Sequence, residues 1–177
     1  MANIELCSYE NMSEAVKVKA DQTIKKTGNL GEIFQLLALS DDVFFATDNM
    51  VSLYLLKQTL LPYSTKQRIA ILVSIENGCK MCVGIHKQLA RVLGVDEHLV
   101  EEIASGVDNL SCTENEKILL KFCIRASKKD NYKIMKEDIE FVKESGFSEK
   151  EIFEAVSIVG YFNYINTLSN TFALGEK

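Results

Sequence analysis

The 177-residue chain has a single proline, Pro62, which closes one apolar helical run and interrupts no other. No stretch alternates apolar and polar residues over a useful strand length, so a β-sheet has no material to form from. Apolar runs stay far below the ~20 residues that span a bilayer. Basic residues are not in excess: 20 Lys and Arg stand among 25 Asp and Glu, for a net charge of −5. Interleaved charge of that balance leaves no footprint for nucleic acid or an anionic membrane. Low-complexity tracts and linkers are also missing, and a 47% hydrophobic composition can bury one sizeable core. The expectation is a single-domain, all-α helical bundle. The start, Met1-Ala2-Asn3-Ile4-Glu5, has neither a basic n-region nor an apolar h-region, so no secretory signal is read and a cytoplasmic location is expected. There, five cysteines rest mainly as thiols, and a CxxC is more often catalytic or metal-binding than a structural staple.

The chemistry is concentrated in Glu76-Asn77-Gly78-Cys79-Lys80-Met81-Cys82-Val83-Gly84-Ile85-His86. Gly78 is a permissive break between two apolar-periodic segments, which places Cys79 in the first turn of a helix running to about Leu93. Cys82 and His86, three and seven places on, then share its face. Only a thiolate is a competent nucleophile, and an ordinary thiol near pKa ~8.5 is a few per cent ionised at neutral pH. Lowering that pKa by roughly 1.5 units takes about 2 kcal/mol, whereas a helix N-terminus supplies ~0.3–1. The remainder must come from a neighbouring imidazolium, for which His86 is placed, or from first-turn amides. The local reading is a reactive dithiol. Zinc is the competing use of two Cys and one His on one face, but it needs a fourth ligand. A c-type haem would need histidine where Val83 stands, and no βαβ pattern supports a thioredoxin-like fold.

Elsewhere the pattern is helical throughout. Residues 10–26 form an amphipathic helix with Ala15, Val16, Ala20 and Ile24 inward, closed by Lys25, Lys26 and Gly28. Leu30 to Leu39 and Val43 to Leu61 follow, split by Ser40-Asp41-Asp42. Capping-box patterns at Ser64 to Gln67, Thr113 to Glu116 and Ser148 to Glu151 each precede an apolar-periodic run. Asp96 can cap a short helix to Ala104, and a polar-faced helix is read near residues 136–145. The last helix, with Ile152, Phe153, Val156, Ile158, Val159, Tyr161, Phe162, Ile165 and Leu168, has almost no solvated side. It needs cover from its own fold or from a neighbouring subunit.

These features resemble the AhpD-like, carboxymuconolactone-decarboxylase superfamily in its peroxidase-related branch. The resemblance runs from about Leu30 to Leu174. It rests on the Ile69 to Ser74 helix, on Asn77-Gly78-Cys79-Lys80-Met81-Cys82 with His86, on Gly94 and Gly146-Phe147-Ser148, and on Phe162-Asn163-Tyr164-Ile165-Asn166. It implies residues 30–177 as the AhpD-like domain, residues 1–29 as an N-terminal helical extension, and assembly into homotrimers or homohexamers. It also implies a thiol peroxidase in which Cys82 attacks a hydroperoxide, Cys79 resolves the sulfenic acid and His86 joins the proton relay. No metal or organic cofactor is required, and a lipoyl or thioredoxin-like dithiol protein would return the electrons. Two positions depart from the pattern. Gln67 stands where a glutamate is usual, and Met81 stands where AhpD proper commonly has histidine.

An amide cannot take a proton from a thiol near neutral pH, though it can orient a water. A general disulfide reductase is therefore the rival enzyme, and a redox-sensing oligomer the non-enzymatic one. Decarboxylation is less expected, because that branch does not depend on a dithiol. Gln67 has a plain alternative role in the capping box, and Glu76 is a candidate substitute base. Asn163, Asn166 and Asn170 share a stripe that reads as an interhelical hydrogen-bond seam, with Asn163 or Asn166 as candidate pocket residues. Cys123 reads as core, His98 as surface, and Cys7 and Cys112 as lying in flexible or turn segments.

Overall fold

The computed structural model describes residues 2–92, 102–103 and 106–175. Among them are eight α-helices and no strand: α1 Glu14–Thr27, α2 Glu32–Leu37, α3 Asp41–Val51, α4 Tyr63–Glu76, α5 Lys80–Val92, α6 Glu114–Ser127, α7 Lys136–Glu144 and α8 Glu149–Thr171. The expected helix end at Leu93-Gly94 and, apart from residues 102–103, the expected helix from Asp96 to Ala104 with His98 lie outside the described residues.

The bundle is built around α4, which packs against α5, α6 and α8. A helix enclosed on several sides cannot be amphipathic, and α4 buries Ile69, Ala70, Ile71, Leu72 and Val73 in succession. It also buries three polar residues of its first turns, Thr65, Lys66 and Gln67. The capping box expected at Ser64 does not form. Pro62 occupies the cap position and the helix starts at Tyr63, so Ser64 is already helical and Gln67 is released to the interior. Lys66 Nζ binds Lys57 O (3.0 Å) and Thr59 Oγ1, and pairs with Glu154 Oε1 at 3.3 Å. These contacts tie the extended segment before α4 to α8.

The other two boxes differ from each other. At α8, Ser148 Oγ accepts from Glu151 N while Ser148 N donates to Glu151 Oε2, the full reciprocal arrangement. At α6, Thr113 Oγ1 accepts from Glu116 N, but the Glu116 carboxylate turns away to Thr65 (2.8 Å) and Arg68 (2.9 Å). A tertiary ion pair has taken the group that would have closed the cap.

A second, smaller core joins α1, α2 and α3 through Cys7, Met12, Val16, Ala20, Leu37 and Phe44, with Leu168 of α8 packed on it. Cys7 is therefore buried rather than in a flexible end. Of the inward residues expected on α1, Val16 and Ala20 are buried and Ala15 and Ile24 are exposed. α3 runs into a π-turn, Ser52–Leu56, where Lys57 N donates to Ser52 O, and the chain then extends to Pro62. α8 buries Ile158, Val159, Phe162 and Ile165 but leaves Phe153 75% exposed, so it has an outer face that its sequence does not announce.

Candidate active site

The α4–α5 corner sets the geometry. Gly78 adopts φ +65, a left-handed turn that a Cβ would strain, and Cys79 N donates to Ser74 O at 2.8 Å. Cys79 thus falls immediately before α5, at its cap position. Cys82 N, in the first turn, points at Cys79 Sγ at 3.4 Å, as a capped helix directs its third amide at the cap side chain. The two sulfurs lie 2.6 Å apart, further than the ~2.05 Å of a disulfide, and both are thiols. Both are buried.

Two sulfurs so close share one proton, and the surrounding donors decide where the charge rests. The hydrogen bond with Cys82 is the largest cause that draws the Cys79 thiol down, to about 6, with the Cys82 amide, Ser169 and Asn166 adding to it against burial. Cys82 is pushed up, first by its bond with Cys79 and then by burial. At neutral pH the anion therefore sits on Cys79, and Cys82 keeps the proton.

His86 lies on the same face of α5 and is buried, edge-on to Phe162 with ring centroids 4.8 Å apart. Burial pulls its pKa down to about 4, so it is a neutral imidazole at pH 7. The imidazolium that the sequence allowed is not there, and the second thiol together with the first-turn amide of Cys82 lowers the pKa of Cys79 instead. Gln67 Oε1 is 2.9 Å from His86 Nδ1. An amide oxygen can only accept, which puts the imidazole proton on Nδ1 and leaves the lone pair on Nε2. Gln67 Nε2 is buried with no hydrogen-bond partner among the described residues.

Protonation of a buried imidazole links stability to pH. The folded-state pKa lies below the ordinary ~6.5, so the contribution is complete above that value and lost as pH falls toward 4. The expected loss is up to about 3 kcal/mol. Denaturant midpoints measured between neutral pH and pH 4 should show that slope in the native chain and not in His86→Leu. Identical slopes would mean that His86 is not held neutral by burial.

The remaining candidates separate. Asn166 is fully buried, accepting from Asn77 Nδ2 (3.0 Å) and donating to Ser74 Oγ (3.1 Å). Asn163 accepts from Asn77 Nδ2 (2.8 Å) and donates to Ser127 O, and Asn170 Nδ2 donates to Asn77 O. These amides form a seam between α8 and the α4–α5 corner, and Asn166 is the member that reaches the sulfurs. Glu76 faces Lys128 at the surface, 3.5 Å away, and is no base for the dithiol. Ser169 was missed: its Oγ is 3.6 Å from Cys82 Sγ. The signal was its position three residues after Asn166, on the same face of a helix whose polar stripe was already legible. Cys123 is buried core, its thiol pushed up to about 12 by burial, and Cys112 is half-buried.

A cavity of about 570 Å3 opens beside Cys82, Met81 and His86, with Tyr161 and Ile165 of α8 across from them. Cys82 lines it and Cys79 lies behind. No group of three or more His, Cys, Asp or Glu side chains among the described residues is placed to hold a metal ion.

Residues 44–122, from α3 through the dithiol corner into α6, match the model of the carboxymuconolactone decarboxylase family. Over that segment the chain is similar to the carboxymuconolactone decarboxylase family. Its AhpD-like fold is shared with an uncharacterised peroxidase-related protein with an alkylhydroperoxidase AhpD core from Ralstonia eutropha JMP134. That pair is 19% identical over 98% of this chain and 90% of the other, with a TM-score of 0.89. A peroxidase-related protein from Silicibacter sp. TM1040 is 20% identical over the same shares, with a TM-score of 0.88. The debrominase Bmp8, solved with 2,3,4-tribromopyrrole, is 15% identical over 99% of this chain and 91% of its own, with a TM-score of 0.78. Among curated proteins there is no match. No helix among the described residues of this AhpD-like chain is long and apolar enough to cross a membrane.

Proposed function

We propose that the protein reduces hydroperoxides through a Cys79–Cys82 dithiol/disulfide cycle. The observation that carries this reading is a pair of buried thiols 2.6 Å apart, of which one lines a cavity and the other holds the charge. Cys82 attacks the terminal peroxide oxygen as its proton passes to Cys79. The O–O bond breaks, a sulfenic acid forms on Cys82, and the alkoxide leaves as alcohol once protonated. Cys79, giving up its proton, then attacks the Cys82 sulfur, and the sulfenic oxygen departs as water. The dithiol has lost two electrons to the peroxide. A dithiol protein of lipoyl or thioredoxin type returns them, and assembly as a homotrimer or homohexamer fits the family resemblance.

His86 Nε2 is a neutral base on the same helix face, and Gln67 fixes its tautomer without supplying charge. That leaves the imidazole weakly basic, which favours general disulfide reduction as the second reading. Both are tested by mixing reduced protein with an alkyl hydroperoxide and following disulfide formation. The rate should exceed that of free thiol, and Gln67→Glu should raise it about tenfold by placing a carboxylate on Nδ1–H. Closure no faster than free thiol, with rapid exchange on a small disulfide, would overturn the peroxidase reading in favour of the reductase.

A further inference from the structure

The cavity that reaches Cys82 is larger and more polarised than a peroxide group requires. It holds about 570 Å3, whereas a water molecule takes up roughly 30 Å3 and hydrogen peroxide has only one oxygen atom more. Its walls include Phe34, Leu37, Phe44 and Ile165, and its rim on α1 carries Lys19 and Lys26. Lys19 is held by Asp48 at 2.7 Å. Lys26 has no ion-pair partner among the described residues. Two lysines against one aspartate leave this rim with one positive charge, on a chain whose net charge is −5.

A small, polar oxidant gains nothing from such walls, while each methylene withdrawn from water favours binding by about fourfold. An exposed charge at the rim discriminates less, by a factor of about 1.5 to 5. The body of the ligand is therefore selected by length and apolarity, and its end by sign. We propose that the cavity takes an amphipathic hydroperoxide, with an apolar chain along the walls, a carboxylate end toward Lys26 and the peroxide group at Cys82. This is the chemistry of a fatty-acid hydroperoxide. The substrate class rests on the peroxidase reading above, but the cavity's fit to an amphipathic acid can be read without turnover.

The experiment has two arms, both run below the micellar concentration of the ligand. In the first, a C18 hydroxy fatty acid is titrated calorimetrically into the reduced protein. It should bind, more tightly than its methyl ester by about threefold, and Lys26→Ala should abolish that difference. In the second, disulfide formation is timed with the C18 fatty-acid hydroperoxide and with hydrogen peroxide, and the former should be faster by about 100-fold or more. No binding of the hydroxy acid, equal binding of acid and ester, or equal rates with the two peroxides overturns this substrate class while leaving the peroxidase reading intact. Binding of the hydroxy acid with no disulfide formed by either peroxide overturns the peroxidase reading, and the cavity is then a fatty-acid site of another kind.

Discussion

Alanine at Cys82 should move the thiolate titration of Cys79 from about 6 back toward the ordinary thiol range near ~8.5. The hydrogen bond with Cys82 is the largest cause of the acid shift, and the substitution removes it. The Cys82 amide is a backbone group and stays, but a helix N-terminus contributes only ~0.3–1 kcal/mol, less than a pKa unit. Since the thiolate exists above the pKa, about nine-tenths of Cys79 is ionised at pH 7 in the native chain and only a few per cent in the variant if the shift is complete. Ultraviolet thiolate absorbance against pH reads this directly. The mirror variant, Cys79→Ser, should bring Cys82 down toward the ordinary range, because its proton is no longer held by an anionic neighbour. A Cys79 midpoint that stays near 6 without Cys82 would mean that the helix end, with Ser169 and Asn166, sets the acidity, and the shared proton would be discarded. The pair must be titrated through such single variants, because in the native dithiol the two midpoints belong to the pair.

Glu154→Ala should destabilise the fold by about 3–5 kcal/mol, the usual cost of leaving one partner of a buried ion pair alone. Lys66 is fully buried, and of its three oxygen partners only Glu154 is charged. The same carboxylate accepts from Thr59 and from Leu60 N, so its loss also unties the segment that leads into α4. Against a total of ~5–15 kcal/mol for a domain, this is a large fraction, and the melting temperature should fall by roughly 10 °C. The double variant Lys66→Met with Glu154→Leu should recover most of the loss, because it removes the isolated charge along with its partner. A single-variant loss below about 1 kcal/mol would show that water or another group solvates the ammonium. Activity should suffer alongside stability, because α4 carries Gln67 to His86.

Within two helical turns the sequence was a sound guide. The Cys79, Cys82 and His86 spacing gave one face, Gly78 marked the break before α5, and Ser148 with Glu151 gave a closed cap, since each depends on residues at most seven apart. The Asn163, Asn166 and Asn170 stripe was legible as a hydrogen-bond seam for the same reason. Glu116 shows where that guide ends: its cap pattern is local, but Arg68, 48 residues away, took the carboxylate.

The residues alone determined an all-helical chain and the convergence of two thiols and an imidazole on one helix face, because periodicity and spacing are properties of a single segment. Packing decided the rest. It buried His86 and so kept it neutral, turned Gln67 from a cap to an imidazole partner, sent Glu76 outward to Lys128, brought Ser169 to the sulfurs and rested the charge on Cys79. Each of these depends on desolvation or on a partner from another part of the chain, and neither is specified until the helices are in contact.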